Sequence, residues 1–219
     1  MRAVRPVVLA AVALAACGDG ASAPETAAPQ APASPVDFEA VETSFRLCLD
    51  GDVPGGVARL DSVLNRSPRA PDALVARGLC RWANWDDDGE TDEARAAYDD
   101  LTAAIEAVES GDEARGTPLD EIYSHRAFVA RALDGGWVRT LEDLDRAVAL
   151  DPREPRHVLD RGVVRVYAGD STAARRDLRQ YLALADSAEA RDEDAPDTEH
   201  RAVVESLLDD LGSDAESAR

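Results

Sequence analysis

Apolar positions along this chain fall into two patterns. The first is an unbroken run from Val7 to Ala16, too short to cross a bilayer as a helix, which takes about 20 residues. Beyond residue 34 the apolar residues recur instead on helical stripes separated by turn signals. Gly51-Asp52 and Gly169-Asp170 each sit in the middle of a helix–turn–helix pattern, and Pro68 and Pro152 each close a helix, as Pro does just past a C-terminus. Arg77-Gly78 and Arg161-Gly162 lie inside the helix that opens such a pair. Ser34-Pro35-Val36-Asp37 and Thr117-Pro118-Leu119-Asp120 each offer an N-cap, Pro at the first helical position and a nearby acid. Pro71, Pro155 and Pro196 mark further starts. The last stripe, Asp197 to Leu211, carries Val203, Val204, Leu207, Leu208 and Leu211 on one side of a helix. The pattern predicts an all-α chain of paired helices.

Composition supports that prediction. Of the 219 residues 45% are hydrophobic, dominated by Ala, Val and Leu, while aromatics reach only 5% and charged residues 31%. Such a mix favours helices packed through small side chains. Charge then narrows the partners. Forty-four acids stand against 24 basic residues, every one of them Arg, for a net of −20. A surface this acidic repels phosphate backbones and anionic headgroups, which excludes nucleic acid as a partner.

Arg2 and Arg5 precede the Val7–Ala16 run, and small residues close it. That is the layout of a secretory signal. Its end, Leu14-Ala15-Ala16-Cys17, resembles the bacterial lipobox. The resemblance implies that residues 1–16 are a signal peptide cut before Cys17, whose sulfur receives a diacylglycerol and whose amine is often acylated. Two or three acyl chains anchor stably where one does not. The protein is therefore expected to be exported and lipid-anchored to a bacterial membrane, on its periplasmic or extracytoplasmic face. Residues 17–34, rich in Ala, Pro, Gly and Ser, read as a tether from the lipidated Cys17.

The remaining markers resemble the tetratricopeptide repeat (TPR), a helix pair of about 34 residues. Ser44, Gly51, Asp52, Gly56, Leu60, Val63 and Pro68 fall on the family's positions in 37–70. Gly78, Ala97, Leu101 and Ala104 do so in 71–111. In 120–154 the matches are Tyr123, Ala127, Trp137, Leu144, Ala147 and Pro152, with Phe128, Arg131 and Thr140 fitting poorly. In 155–188 they are Gly162, Gly169, Asp170, Ala174 and Leu178, with Tyr181 where Ala is usual. The resemblance implies a TPR-like solenoid of about four repeats over 35–211. A capping helix at 197–211 closes it, and a disordered tail follows at 212–219. An insert in the second repeat and a linker near 112–119 depart from the family pattern.

TPR arrays bind ligands on the face lined by the first helix of each pair. Carried across, that face holds Val41, Phe45, Cys48, Leu49, Val75, Leu79, Trp82, Phe128, Arg131, Leu159, Val163, Val166 and Tyr167. Such a lining is apolar and suits a hydrophobic peptide or helix. Val41 and Phe45 stand where TPR domains of the carboxylate-clamp type carry polar residues, which argues against an acidic-tail ligand. The resemblance implies a membrane-anchored adaptor or scaffold that holds another cell-envelope protein.

Three further features bear on chemistry. Asn84, Asp86, Asp88, Glu90 and Asp92, around Gly89, have the alternate spacing of oxygen ligands in a calcium loop. The bidentate acid of an EF-hand is replaced by Arg95, so a calcium-responsive module at 84–92 stands as the alternative and a solvated loop beside it. No other cofactor is expected. With Cys17 lipidated, Cys48 and Cys80 remain in an oxidising compartment on the first helices of adjacent repeats. A disulfide and two buried thiols are both open. His125, His157 and His200 fall in three helical elements without a ligand or base at useful spacing, and no nucleophile or phosphate-loop motif is present. No catalytic residue is assigned, and no enzyme is expected.

Overall fold

The structure, a computed structural model, describes residues 36–83, 91–134, 137–190 and 198–217. Among these residues every element is an α-helix. The first pair is α1 (Phe38–Leu49) and α2 (Val53–Arg66), and the second α3 (Pro71–Ala83) and α4 (Thr91–Glu109). Then come α5 (Leu119–Asp134) with α6 (Trp137–Leu150), and α7 (Pro155–Tyr167) with α8 (Ser171–Ala190). A single helix, α9 (Thr198–Ser217), ends the array. Each pair packs internally, and each second helix packs on the helix that follows it, α2 on α3, α4 on α5, α6 on α7 and α8 on α9, so the pairs stack in sequence order.

The turns explain the Gly-Asp pairs. Gly51 has φ 95° and Gly169 φ 81°, a left-handed conformation that only glycine adopts cheaply. The Asp52 amide donates to the Leu47 carbonyl and the Gly51 amide to Cys48, at 2.9 and 3.1 Å. These are the two bonds of a Schellman cap. The same Asp then starts the next helix, its carboxylate accepting from the Gly55 amide at 3.1 Å. Asp170 repeats both roles, accepting from Ala173 at 3.0 Å and donating to Arg165 at 3.0 Å. Ser34 was the expected cap of α1, but Asp37 fills that place, with Ala40 donating to its side chain at 3.0 Å. A carboxylate three residues before an amide reaches it directly. In α5 the first helical bond runs from Ile122 to the Pro118 carbonyl, so Pro118 sits at the cap itself rather than one position inside.

Leu60, Leu101, Leu144 and Leu178, one from each second helix, are fully buried. Each is worth about 1.5–3 kcal/mol by its removal from water. Gly78 and Gly162 let the first helices approach this layer. A Cβ on Gly78 would lie 3.2 Å from the Leu101 side chain, and one on Gly162 would lie 3.1 Å from Leu178.

Beside the leucines runs a ladder that the sequence reading did not anticipate. Arg77 on α3 donates two bonds to Asp100 of its own pair-mate, 2.6 and 3.0 Å, and one to Asp61 of the preceding pair, 2.7 Å. Arg126 on α5 holds Asp143 on α6 in the same two-pronged way and reaches back to Thr102 on α4. Arg161 on α7 holds Asp177 on α8 and reaches back to Asp145 on α6. Each arginine thus ties three consecutive helices together.

The C-terminal helix departs from expectation twice. It runs past Leu211 to Ser217, into the tail expected to be disordered. Val204 and Leu211 are buried and Leu207 and Leu208 pack against the same cluster with Tyr181, but Val203 is 53% exposed. Successive residues are about 100° apart on a helix, so Val203 falls off the stripe that Val204 occupies. No helix among the described residues is long and apolar enough to cross a membrane.

Candidate functional site

The first helices bring some of the expected lining together and scatter the rest. Val41 and Phe45 of α1 and Val75 and Leu79 of α3 line one cavity of about 480 Å³, with Phe38, Glu42, Asp72 and Ala76. Arg115, Gly116 and Thr117, from the linker between α4 and α5, complete it. The linker is held there by Asp72. That carboxylate is buried and accepts from the backbone amides of Gly116, at 2.6 Å, and Arg115, at 3.1 Å. The Arg115 guanidinium carbon lies 4.3 Å from the centre of the Phe38 ring, a cation–π contact. Sequence reasoning missed Asp72, which looks like an ordinary first-turn acid, and missed the linker's part in the cavity.

Cys48 and Cys80, 32 positions apart in sequence, are joined by a disulfide with Cα atoms 5.6 Å apart. It links α1 to α3, the two helices that form the cavity walls.

Other expected lining residues lie elsewhere. Leu49 is 69% exposed at the end of α1, and Trp82 packs half-buried against the core. Arg131 is exposed and Val163 half-buried. Leu159 and Val166 pack against the C-terminal core. Tyr167, 64% exposed, stacks on Trp137 with ring centres 5.8 Å apart. Leu49 and Tyr167 are the last residues of α1 and α7, next to the turns that lead into α2 and α8.

Phe128 lines a second, smaller cavity of about 190 Å³ between α5 and α7, with Glu121, Ser124, His125, Glu154, Arg156 and His157. This part of the first-helix face is polar, contrary to the expected apolar lining. His157 is buried and its Nε2 lies 2.9 Å from Asp120 Oδ2. A carboxylate only accepts, so Nε2 carries the proton. His125 is held below the usual histidine range by burial, with Arg156 and His157 adding to the shift. Asp160 is pushed up to about 6 by burial, opposed by Arg156, His157 and His200. The three histidines, distant in sequence, therefore share one electrostatic neighbourhood at α5, α7 and α9.

Among the described residues no group of three His, Cys, Asp or Glu side chains has a metal-binding arrangement. Asn84, Asp86, Asp88 and Glu90 of the calcium reading lie outside the described residues, and Asp92 falls in the first turn of α4. Cys17 also lies outside them.

Stacked helix pairs with Gly-Asp turns and a leucine layer define an all-α, TPR-like fold. A family model described as tetratricopeptide repeat matches residues 134–209. Solved structures of the same fold include a chain of the APC/C hetero-tetramer Cut9-Hcn1, at 12% identity and TM-score 0.60. The match covers 80% of this chain but only 29% of that one. A MamA RS-1 double mutant is similar at 21% identity and TM-score 0.55, over 70% of this chain and 78% of the other. A thermophilic TPR protein of Thermus thermophilus is similar at 16% identity and TM-score 0.50, over 78% of this chain and 98% of the other. No curated protein matches the chain.

Proposed function

We propose that this protein is a non-catalytic adaptor, exported and anchored to a bacterial membrane through lipid on Cys17, that binds another cell-envelope protein. The observation that carries the binding half is the α1–α3 cavity. Phe45 and Leu79, half-buried, present apolar surface there above the buried Val41 and Val75. Apolar side chains of a partner gain roughly 25 cal/mol for each Å² they bury in such a site. The anchor half rests on Arg2, Arg5, the Val7–Ala16 run and Leu14-Ala15-Ala16-Cys17.

Two substitutions test the halves separately. Cys17→Ser should move the full-length protein from the membrane to the soluble fraction. Phe45→Ala with Leu79→Ala should leave it on the membrane but remove a co-purifying protein from detergent extracts. An unchanged set of co-purifying proteins contradicts binding through this cavity.

A further inference from the structure

We propose that residues 112–117 are a fixed end wall of the α1–α3 cavity, latched by Asp72, so that the cavity takes a compact apolar group with an anion beside it. The inference deepens the reading of this cavity as the binding site and rests on it. The wall is built from backbone contacts. A first-turn acid ordinarily stabilises its own helix by facing the exposed amides there. The Asp72 carboxylate instead accepts from the Arg115 and Gly116 amides, 43 and 44 residues away. The approach is close, since a Cβ on Gly116 would lie 3.0 Å from Asp72 Oδ1. A second tie holds the start of the linker, where Arg69 Nε donates to Asp112 Oδ2 at 2.9 Å.

The wall decides the shape of the occupant. An α-helix with its side chains is about 10–12 Å across, and lying along a groove it needs both ends open. Arg115, Gly116 and Thr117 of the linker stand in the lining beside α1 and α3, and as an end wall they leave no room for a helix to run through. The space of about 480 Å³ fits a few apolar side chains presented by a turn or chain segment of the partner.

Charge decides its chemistry. The Asp72 carboxylate is turned to the Arg115 and Gly116 amides, and Glu42 accepts from Arg46 at 2.8 Å. Arg115 is the cation in the lining. Its ion pair with Glu113 is long, 3.7 Å, and exposed on both sides, an arrangement worth little. Stacked on Phe38 and still open to solvent, the guanidinium is placed to pair with a carboxylate beside the apolar group.

Two fluorescent probes test this on the full chain. N-phenyl-1-naphthylamine is neutral, and 1-anilinonaphthalene-8-sulfonate adds an anion to the same body. The sulfonate probe should bind tighter by up to about fivefold, the scale of an accessible ion pair. Arg115→Gln should erase that preference, bringing the two probes to equal affinity, and should leave hydrogen exchange of the Gly116 amide unchanged, since the latch uses only the backbone of residue 115. Asp72→Asn should speed hydrogen exchange of the Arg115 and Gly116 amides and weaken both probes. If both probes bind and Leu79→Gln abolishes them, an Asp72→Asn variant that changes nothing overturns the end wall and an Arg115→Gln variant that changes nothing overturns the anion preference, while the binding reading stands. If neither probe binds the wild type, the binding reading fails first.

Discussion

Arg77 on α3 grips the Asp100 carboxylate on α4 with two bonds, 2.6 and 3.0 Å, at a site where Asp100 is almost wholly buried. Arg81 donates a third bond to the same carboxylate at 2.6 Å. Removing Asp100 leaves two guanidinium groups, both less than a quarter exposed, without their main counter-charge. Breaking one side of a buried pair costs about 3–5 kcal/mol. Asp100→Ala should therefore lower the unfolding free energy by about 3 kcal/mol in denaturant titration. Glu42→Ala, which breaks the exposed pair with Arg46, should cost no more than about 0.5 kcal/mol. Equal effects from the two would contradict the ladder as a structural element.

Reduction of Cys48–Cys80 should destabilise the N-terminal pairs. Closing a loop of this length removes about 3–4 kcal/mol of chain entropy from the unfolded state. Thermal unfolding with and without a reductant, compared with Cys48→Ser plus Cys80→Ser, checks the prediction. The variant should be insensitive to reductant and should melt near the reduced wild type.

Asp160 gives a pH signature. Burial pushes its carboxyl up to about 6, against about 4 in an unfolded chain. Between those values the folded protein holds a proton that the unfolded chain releases, so stability falls as pH rises through that window. Above about 6 the ionised, buried carboxylate carries the whole penalty, about 3 kcal/mol. Asp160→Asn should accordingly stabilise the protein at about pH 8 and make little difference at about pH 4. A variant effect independent of pH would rule this account out.

Gly56 packs where α2 crosses α1. A Cβ there would run into Cys48 Sγ and the Ser44 carbonyl oxygen, and neither the disulfide nor the helix backbone yields easily. Gly56→Ala should destabilise by about 1–3 kcal/mol, the usual cost of overpacking, despite the higher helix propensity of Ala. Calorimetric melting decides the sign.

The helix pairs were legible in the sequence because their turns are chemically specific. Gly51-Asp52 and Gly169-Asp170 announce a left-handed residue followed by a cap, and Leu60, Leu101, Leu144 and Leu178 repeat at the layer they build. The ladder was present as a signal but was not read. Arg77, Arg126 and Arg161 each precede a small residue, and Asp100, Asp143 and Asp177 each precede the buried leucine. In an acid-rich chain such charges look like ordinary solvated surface.

The site was less legible than the scaffold. Val41, Phe45, Val75 and Leu79 share one register of the first helices, which helical geometry fixes, and they line one cavity. The stack of Tyr167 on Trp137 was not legible, because it depends on how the end of α7 meets the start of α6. Asp72 and Arg115 were missed because their contact, across 43 residues, runs through a linker without a regular pattern. The same holds for His157 and Asp120, joined only when α7 packs beside α5.

The central claim is that the α1–α3 cavity receives a partner protein. Photo-cross-linking in intact cells addresses it directly, with benzoylphenylalanine replacing Phe45 inside the cavity or Ser62 on the exposed side of α2. The expected result is a discrete adduct from position 45 and none from position 62. No adduct at 45, or the same adduct from both positions, would contradict the claim.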